Sequence, residues 1–247
     1  MMSEDETKTH INPQKLYLFR NADKDGWVQD EKNRQQNENS FKRSGKYIVL
    51  GAPQHGKSNL ILNMITNSDF DKIYIYKKKN TKEYNTVPHV MITKISHFPF
   101  DEMNDNEKAL FILEDFSKSN LKDKDDMEAI ETLCSYTASH HGLTLVVVCQ
   151  DYFSCPLSVR RRMTHFILFP NSVDLRYTLP SISGIPKAQK DALEYHYFKN
   201  RNNKYDFYSI DITEDIDKKF KFNMEPLDLT QIDQNEIRDF KKKIYKK

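Results

Sequence analysis

Cysteine is scarce, with only 3 in 247 residues. Cys134, Cys149 and Cys155 are odd in number, and their spacing is not that of metal ligands. The pattern therefore argues against both a disulfide framework and a cysteine-bound zinc site. A reducing compartment is the expectation.

Long apolar runs are also lacking. The segment Met1–Lys8 has none of the apolar character of a secretory signal, and no later stretch approaches the length of a membrane span. We therefore expect no membrane partner, and a protein that is cytosolic or carried inside a particle.

A strong excess of one charge is lacking too. The chain has 38 Lys and Arg against 36 Asp and Glu, a net charge of +2. This balance excludes the overall basicity of a histone-like binder but leaves room for local basic patches. Hydrophobic residues make up 38% and charged residues 30%, enough apolar material for one core inside a heavily solvated surface.

Short apolar runs begin after a polar stretch and predict buried strands. The predicted strands are Tyr47–Leu50, Ile73–Tyr76, Ala109–Leu113, Leu143–Val148 and His165–Phe169. Candidate helices separate them, such as Asp126–Ala138, which indicates a mainly parallel sheet covered on both faces. A further helix is predicted at Lys187–Tyr197 and a hairpin through Tyr205–Ile210. We divide the chain into a polar arm (1–45), a catalytic domain (46–215) and a charged tail or helix (216–247).

One motif lies between the first of these strands and a predicted helix, Asn59–Ile65. The segment Gly51-Ala52-Pro53-Gln54-His55-Gly56-Lys57-Ser58 fits the phosphate-binding pattern G-x-x-x-x-G-K-S, and it contains two of the chain's 6 glycines. Its backbone N–H groups and the helix dipole suit the phosphates of ATP. Lys57 would reach the γ-phosphate, and Ser58 would bind Mg²⁺. We assign nucleotide binding to this segment together with Asn59. The motif predicts an α/β P-loop NTPase fold of the RecA/ASCE type, with three layers and a mainly parallel central sheet.

Polar side chains end two further strands. Glu114 and Asp115 follow Ala109–Leu113, where a carboxylate can hold Mg²⁺ and a neighbour can activate the attacking water. By position, Glu114 is the metal-side residue and Asp115 the general base, although the roles could be exchanged. Gln150 follows Leu145–Cys149 and can sense the γ-phosphate.

Basic residues elsewhere have two readings. Arg160, in the run Arg160-Arg161-Arg162, is either an arginine finger delivered across a subunit interface or part of a solvated face. For His140-His141, Lys77-Lys78-Lys79 and the C-terminal lysines, a solvated surface is the expectation.

The order of these motifs resembles the viral genome-packaging ATPases of the FtsK-HerA superfamily. The likeness is greatest to the poxvirus-type enzymes of large DNA viruses, virophages and Polinton-like elements, and it covers about Lys46 to Pro170. In that family an Arg-His pair precedes the sensor strand, a Gln ends it, and an Arg follows a Pro-containing segment. His140, Gln150 and Arg160 match these positions, whereas Ser139 replaces the arginine and Glu114 the usual Asp.

The resemblance implies an oligomeric ring motor that uses ATP and Mg²⁺ to drive double-stranded DNA into a preformed capsid. Its partners would be the DNA, capsid or packaging-vertex proteins and further copies of the chain. Its location would be the host cytoplasm, in a viral factory, or the virion. Three alternatives stay open from the residues: another nucleic-acid motor, a P-loop nucleotide kinase, and a slow NTP switch in assembly.

Overall fold

A computed structural model describes residues 16–22, 26–35, 41, 45–66, 68, 70–77, 82–103, 107–121, 123–137, 143–169, 174–200 and 203–245. The strands are β1 Leu16–Ala22, β2 Gly26–Gln35, β3 Lys46–Leu50, β4 Lys72–Tyr76, β5 Val90–Ile92, β6 Ala109–Leu113, β7 Thr144–Cys149, β8 His165–Leu168, β9 Tyr208–Asp211, β10 Phe220–Phe222 and β11 Glu225–Pro226. The helices are α1 Lys57–Thr66, α2 Lys124–Thr132, α3 Leu157–Arg160, α4 Leu175–Ser181, α5 Lys187–Asn200 and α6 Gln234–Tyr245.

The central sheet has nine strands within these described ranges, in the order β11-β10-β9-β8-β3-β7-β6-β4-β5. The six from β8 to β5 are mutually parallel, while β9, β10 and β11 continue the sheet antiparallel. The prediction of a mainly parallel sheet is confirmed. Parallel strands place their carboxyl ends at one edge, so the segments that follow β3, β4, β6 and β7 meet there.

Both faces of the sheet are covered, as predicted, because alternate side chains of each strand enter different cores. In β3, Ile48 and Leu50 belong to one core with residues of α2, α4 and α5, whereas Tyr47 and Val49 belong to the other with residues of α1. β3 itself is almost fully buried. The strand that leads into the glycine-bounded loop is therefore fixed from both sides.

Element boundaries differ from the prediction in places. α2 ends at Thr132 and a π-helical turn, Leu133–Thr137, continues it. The predicted hairpin through Tyr205–Ile210 lies further along the chain, because β9 forms its hairpin with β10. The sheet therefore extends beyond residue 215, the predicted end of the catalytic domain; the three-segment division stays a prediction.

Two further features concern the ends of the chain. The strands β1 and β2 pair as an antiparallel ribbon within the predicted polar arm. In the described part of the chain, no helix combines the length and apolar character needed to cross a membrane.

Candidate nucleotide site

The loop between β3 and α1 has an unusual backbone. Gln54 and Gly56 have φ angles of 64° and 93°, in the left-handed region that favours glycine. The Leu60 N–H donates to the Gly56 carbonyl oxygen at 2.9 Å, so the helical hydrogen bonds begin directly behind the loop. The loop is thus closed by the N-terminus of a ten-residue helix, where unpaired N–H groups and the helix dipole attract anions.

Lys57 occupies the first position of α1 and is buried. Its Nζ donates to the carbonyl oxygens of Gly51 at 2.7 Å and Ala52 at 2.9 Å. Burial lowers the pKa of Lys57, and the charges of Glu114 and Asp115 oppose that shift. The ammonium therefore lies against the loop backbone, near two carboxylates.

Glu114 follows β6 and is only 4% exposed. Its N–H donates to the Tyr76 carbonyl oxygen at 3.0 Å, which fixes the strand end against β4. The hydroxyl of Tyr84 donates to Glu114 Oε1. Burial raises the pKa of Glu114, while the Tyr84 hydrogen bond and the charge of Lys77 act to lower it.

Tyr84 belongs to a short 3₁₀ turn, Lys82–Tyr84. Its place in the site was not predicted from the sequence. Burial is the main reason that its pKa lies well above the usual value, and Glu114 raises it further. Ser58 is also a hydrogen-bond partner of Tyr84, and this hydrogen bond lowers the pKa of Tyr84. One tyrosine hydroxyl thus connects the end of the phosphate-binding motif to the carboxylate after β6.

Lys77 corrects an expectation from the sequence. It was assigned to a solvated surface, yet it is 8% exposed and its Nζ donates to Glu83 Oε2 at 2.8 Å. Lys77 follows β4, next to β6 in the sheet, and Glu83 directly precedes Tyr84. The ion pair therefore packs beside Glu114. Lys78 and Lys79, the rest of that run, lie outside the described residues.

Asp115 differs from its neighbour Glu114. It is exposed, and its φ angle of 48° lies in the left-handed region, which aspartate tolerates better than most residues. The next N–H, of Phe116, donates to the Val148 carbonyl oxygen at 2.8 Å. The turn is therefore held against β7 while the Asp115 carboxylate faces outward.

Gln150 directly follows β7 and is exposed. β7 lies between β3 and β6, and the Gly51 N–H donates to the Cys149 carbonyl oxygen at 3.2 Å. The end of β7 therefore adjoins the start of the phosphate-binding loop. The sheet brings the loop, Gln150 and the acidic pair to adjacent strand ends, as expected for a P-loop site.

Arg160 ends α3 and lies over two aromatic rings of its own chain. Its guanidinium carbon is 4.9 Å from the Tyr152 ring centroid and 5.0 Å from that of Phe153, and Nη1 donates to the Tyr152 carbonyl oxygen at 3.5 Å. Burial raises the pKa of Tyr152, whereas the Arg160 charge lowers it. Ser139, His140 and His141 lie outside the described residues.

The other predicted loop residues are less buried. Pro53 and Gln54 are exposed, and His55 Nδ1 lies 3.0 Å from the Pro53 carbonyl oxygen. Asn59 lies in the first turn of α1, where its carbonyl oxygen accepts a hydrogen bond from Asn63 at 2.8 Å.

The residues at this edge fit a magnesium ion. Mg²⁺ keeps several waters and takes one or two protein oxygen ligands together with substrate phosphates. Throughout the described ranges, no group of three or more His, Cys, Asp or Glu side chains is placed to hold a metal ion alone. Ser58 and Glu114, however, both bond to the same Tyr84 hydroxyl. A hydroxyl and a carboxylate thus lie together beside the loop.

Comparisons with known proteins support the fold. No model of a protein family and no curated protein matches the sequence. Among solved structures, the genome packaging NTPase B204 of Sulfolobus turreted icosahedral virus 2 matches in complex with AMPPCP at 16% identity and a TM-score of 0.50, over 75% of this chain and 100% of that one. The B204 complex with sulfate matches at the same identity and TM-score, over 75% of this chain and 98% of that one. The pCW3 conjugation coupling protein TcpA, with ATPγS, matches at 11% identity and a TM-score of 0.47, over 96% of this chain and 73% of that one.

The two likenesses to B204, each at a TM-score of 0.50, establish the fold. Together with the loop, the helix behind it and the strand ends beside it, they define the chain as a protein of the P-loop NTPase fold.

Proposed function

We propose that the protein hydrolyses ATP to drive double-stranded DNA into a preformed viral capsid. The observation that carries the hydrolytic part is the buried Glu114 carboxylate, held beside the Lys57 loop and next to the strand that ends at Gln150. A charged loop lysine, a buried carboxylate and an exposed amide are the groups that phosphoryl transfer to water requires.

Each residue has a role in this proposal. The loop from Gly51 to Ser58 binds the triphosphate through its N–H groups, and Lys57 exchanges its backbone carbonyls for a γ-phosphate oxygen. Asp115 takes the proton of the attacking water, which Gln150 orients. Ser58 and Glu114 would hold Mg²⁺, which when bound neutralises charge on the β- and γ-phosphates.

The DNA-packaging part has separate support. The motif order resembles the packaging ATPases of the FtsK-HerA superfamily, poxvirus type. B204, which shares the fold, is a genome packaging NTPase of an icosahedral virus. On this proposal the chain works as a homo-oligomeric ring on the capsid or its packaging vertex, in the host cytoplasm or the virion.

The test is ATP turnover measured with and without duplex DNA, and with nucleoside monophosphates. We expect DNA to stimulate hydrolysis, because a motor couples ATP hydrolysis to movement along DNA. Lys57→Ala should abolish turnover, while Lys72→Ala, which changes an exposed lysine paired with Glu107, should retain it. Phosphate transfer to a monophosphate would instead identify a kinase. Slow turnover that ignores DNA would identify an assembly switch.

A further inference from the structure

An aromatic ring adjoins the phosphate-binding loop and has no part in the chemistry above. Tyr205 precedes β9 and is 52% exposed. A methyl group placed on Gly56 would lie 3.5 Å from Tyr205 Cδ1 and 3.6 Å from Phe169 Cε1. The ring of Tyr205 therefore stands beside the last glycine of the loop while much of its surface stays open to solvent.

The backbone around Tyr205 is fixed despite this exposure. The Tyr205 N–H donates to Asn203 Oδ1 at 3.0 Å. Asn223, in the turn between β10 and β11, accepts from the Phe207 N–H at 2.9 Å and donates to Asp206 at 2.8 Å. Phe207 also packs against Phe169, with ring centroids 5.4 Å apart. An exposed aromatic on a held backbone loses little freedom when a ligand stacks on it.

The strand order gives a direction to a bound nucleotide. The carboxylates and Gln150 follow β6 and β7, on one side of β3, whereas Tyr205 leads into β9, on the other side beyond β8. Hydrolysis takes place at the γ-phosphate, which must therefore point toward β7 and β6. The opposite end of the molecule, its base, then points toward β8 and β9.

We infer that Tyr205 is the stacking platform for the nucleobase of the bound nucleoside triphosphate. Purine bases stack on aromatic side chains through their π-faces. The Lys204 ammonium lies 4.8 Å from the Tyr205 ring centroid. The inference rests on the proposed ATP site and adds the residue that distinguishes a nucleotide from a bare phosphate chain.

Equilibrium binding of MgATP and of magnesium tripolyphosphate, which has no base, tests the inference. Tyr205→Ala should weaken ATP binding by roughly 5- to 150-fold, the range expected for loss of one stacked base, and leave tripolyphosphate binding unchanged. Tyr205→Trp should retain ATP binding. Tyr177→Ala is the matched control, since Tyr177 is 65% exposed and also has a cation, Arg176, over its ring at 5.7 Å. It should bind both ligands like the original protein.

The outcomes separate the inference from the proposed function. If Tyr205→Ala binds ATP as the unaltered protein does, or loses affinity for ATP and tripolyphosphate equally, Tyr205 is not the base platform although the loop binds phosphate. The proposed ATP site itself is wrong if the unaltered protein binds neither ligand, or if Lys57→Ala binds both ligands as tightly as the unaltered protein does. The inference about Tyr205 is then wrong as well.

Discussion

The Tyr84 hydroxyl determines the surroundings of Glu114. A buried carboxylate without a donor is costly, and a hydrogen bond to a charged group contributes about 1.5–3 kcal/mol. Tyr84 supplies that donor, and Ser58 adjoins the same hydroxyl. A ligand that draws the Ser58 hydroxyl toward Mg²⁺ would change the hydrogen bonding of Tyr84 and, through it, of Glu114. The loop and the carboxylate are in this way chemically connected before any nucleotide binds.

Tyr84→Phe should move the acidic limb of the pH–rate profile of ATP hydrolysis to higher pH. The Tyr84 hydrogen bond lowers the pKa of Glu114 against the effect of burial, so its removal lets the pKa rise further. Glu114 acts as a carboxylate, and the variant therefore needs a higher pH to ionise it. Activity should fall more at mildly acidic pH than at neutral pH.

The matched control for that variant is Tyr195→Phe. It removes another hydrogen bond from a tyrosine to a glutamate, that of Tyr195 to Glu236, which joins α5 to α6 outside the site. Its profile should be that of the unaltered protein. Identical profiles for the two phenylalanine variants would contradict the role given to Tyr84.

At the scale of elements, the loop between β3 and α1 depends on Gly56. A side chain on a residue in the left-handed region costs roughly 1–2 kcal/mol, so Gly56→Ala should destabilise the fold by about that amount. The strain should also displace the N–H donors of the loop and weaken ATP binding. Calorimetric titration with MgATP measures the second effect, and thermal unfolding the first.

Gly184→Ala gives the comparison. Gly184 has a φ angle of 79°, and an added methyl group would meet Ile212 at an ordinary contact distance of 3.5 Å. The Gly184→Ala protein should lose about as much stability as Gly56→Ala, while its ATP affinity stays unchanged. Equal ATP affinity in the two alanine variants would show that the loop conformation does not matter for binding.

Five of the six parallel strands could be predicted because each contains a short apolar run that is buried on both faces. β5 was missed, since Val90 and Met91 in it are exposed. The antiparallel extension could not, since β10 and β11 are short, and Lys221 and Glu225 lie within them. The predicted site residues after β3, β6 and β7 meet at one edge because parallel strands place their ends together. Tyr84 was missed because it reaches Glu114 across 30 residues of chain, from a segment with no motif or periodicity. Tyr205 was missed because it adjoins Gly56 only in the folded chain, from a segment with no nucleotide-binding motif.

At the scale of the whole molecule, Arg160 is proposed to act on the ATP of a neighbouring subunit. It lies on its own aromatic rings beside two exposed apolar side chains, Phe153 and Leu157, 41% and 45% exposed. Such a surface suits contact with another copy. If the finger acts in trans, Arg160→Ala and Lys57→Ala proteins, each inactive alone, should regain ATPase activity when mixed.

The exposed neighbour Arg161 supplies the control for this mixing experiment. The Arg161→Ala protein should hydrolyse ATP by itself, with no second variant added. Full activity of Arg160→Ala alone, or no recovery in mixed rings shown to have formed, would remove Arg160 from the site.

Displacement of a third strand from a linear duplex measures whether ATP hydrolysis moves the protein along double-stranded DNA. A motor that travels along the phosphate backbone removes a triplex-forming strand wherever it is placed, independent of sequence. We predict release of that strand by the unaltered protein with ATP, and none with Lys57→Ala or with a non-hydrolysable ATP analogue. A third strand that stays bound while ATP is hydrolysed in the presence of the duplex would show that the protein is not a DNA translocase.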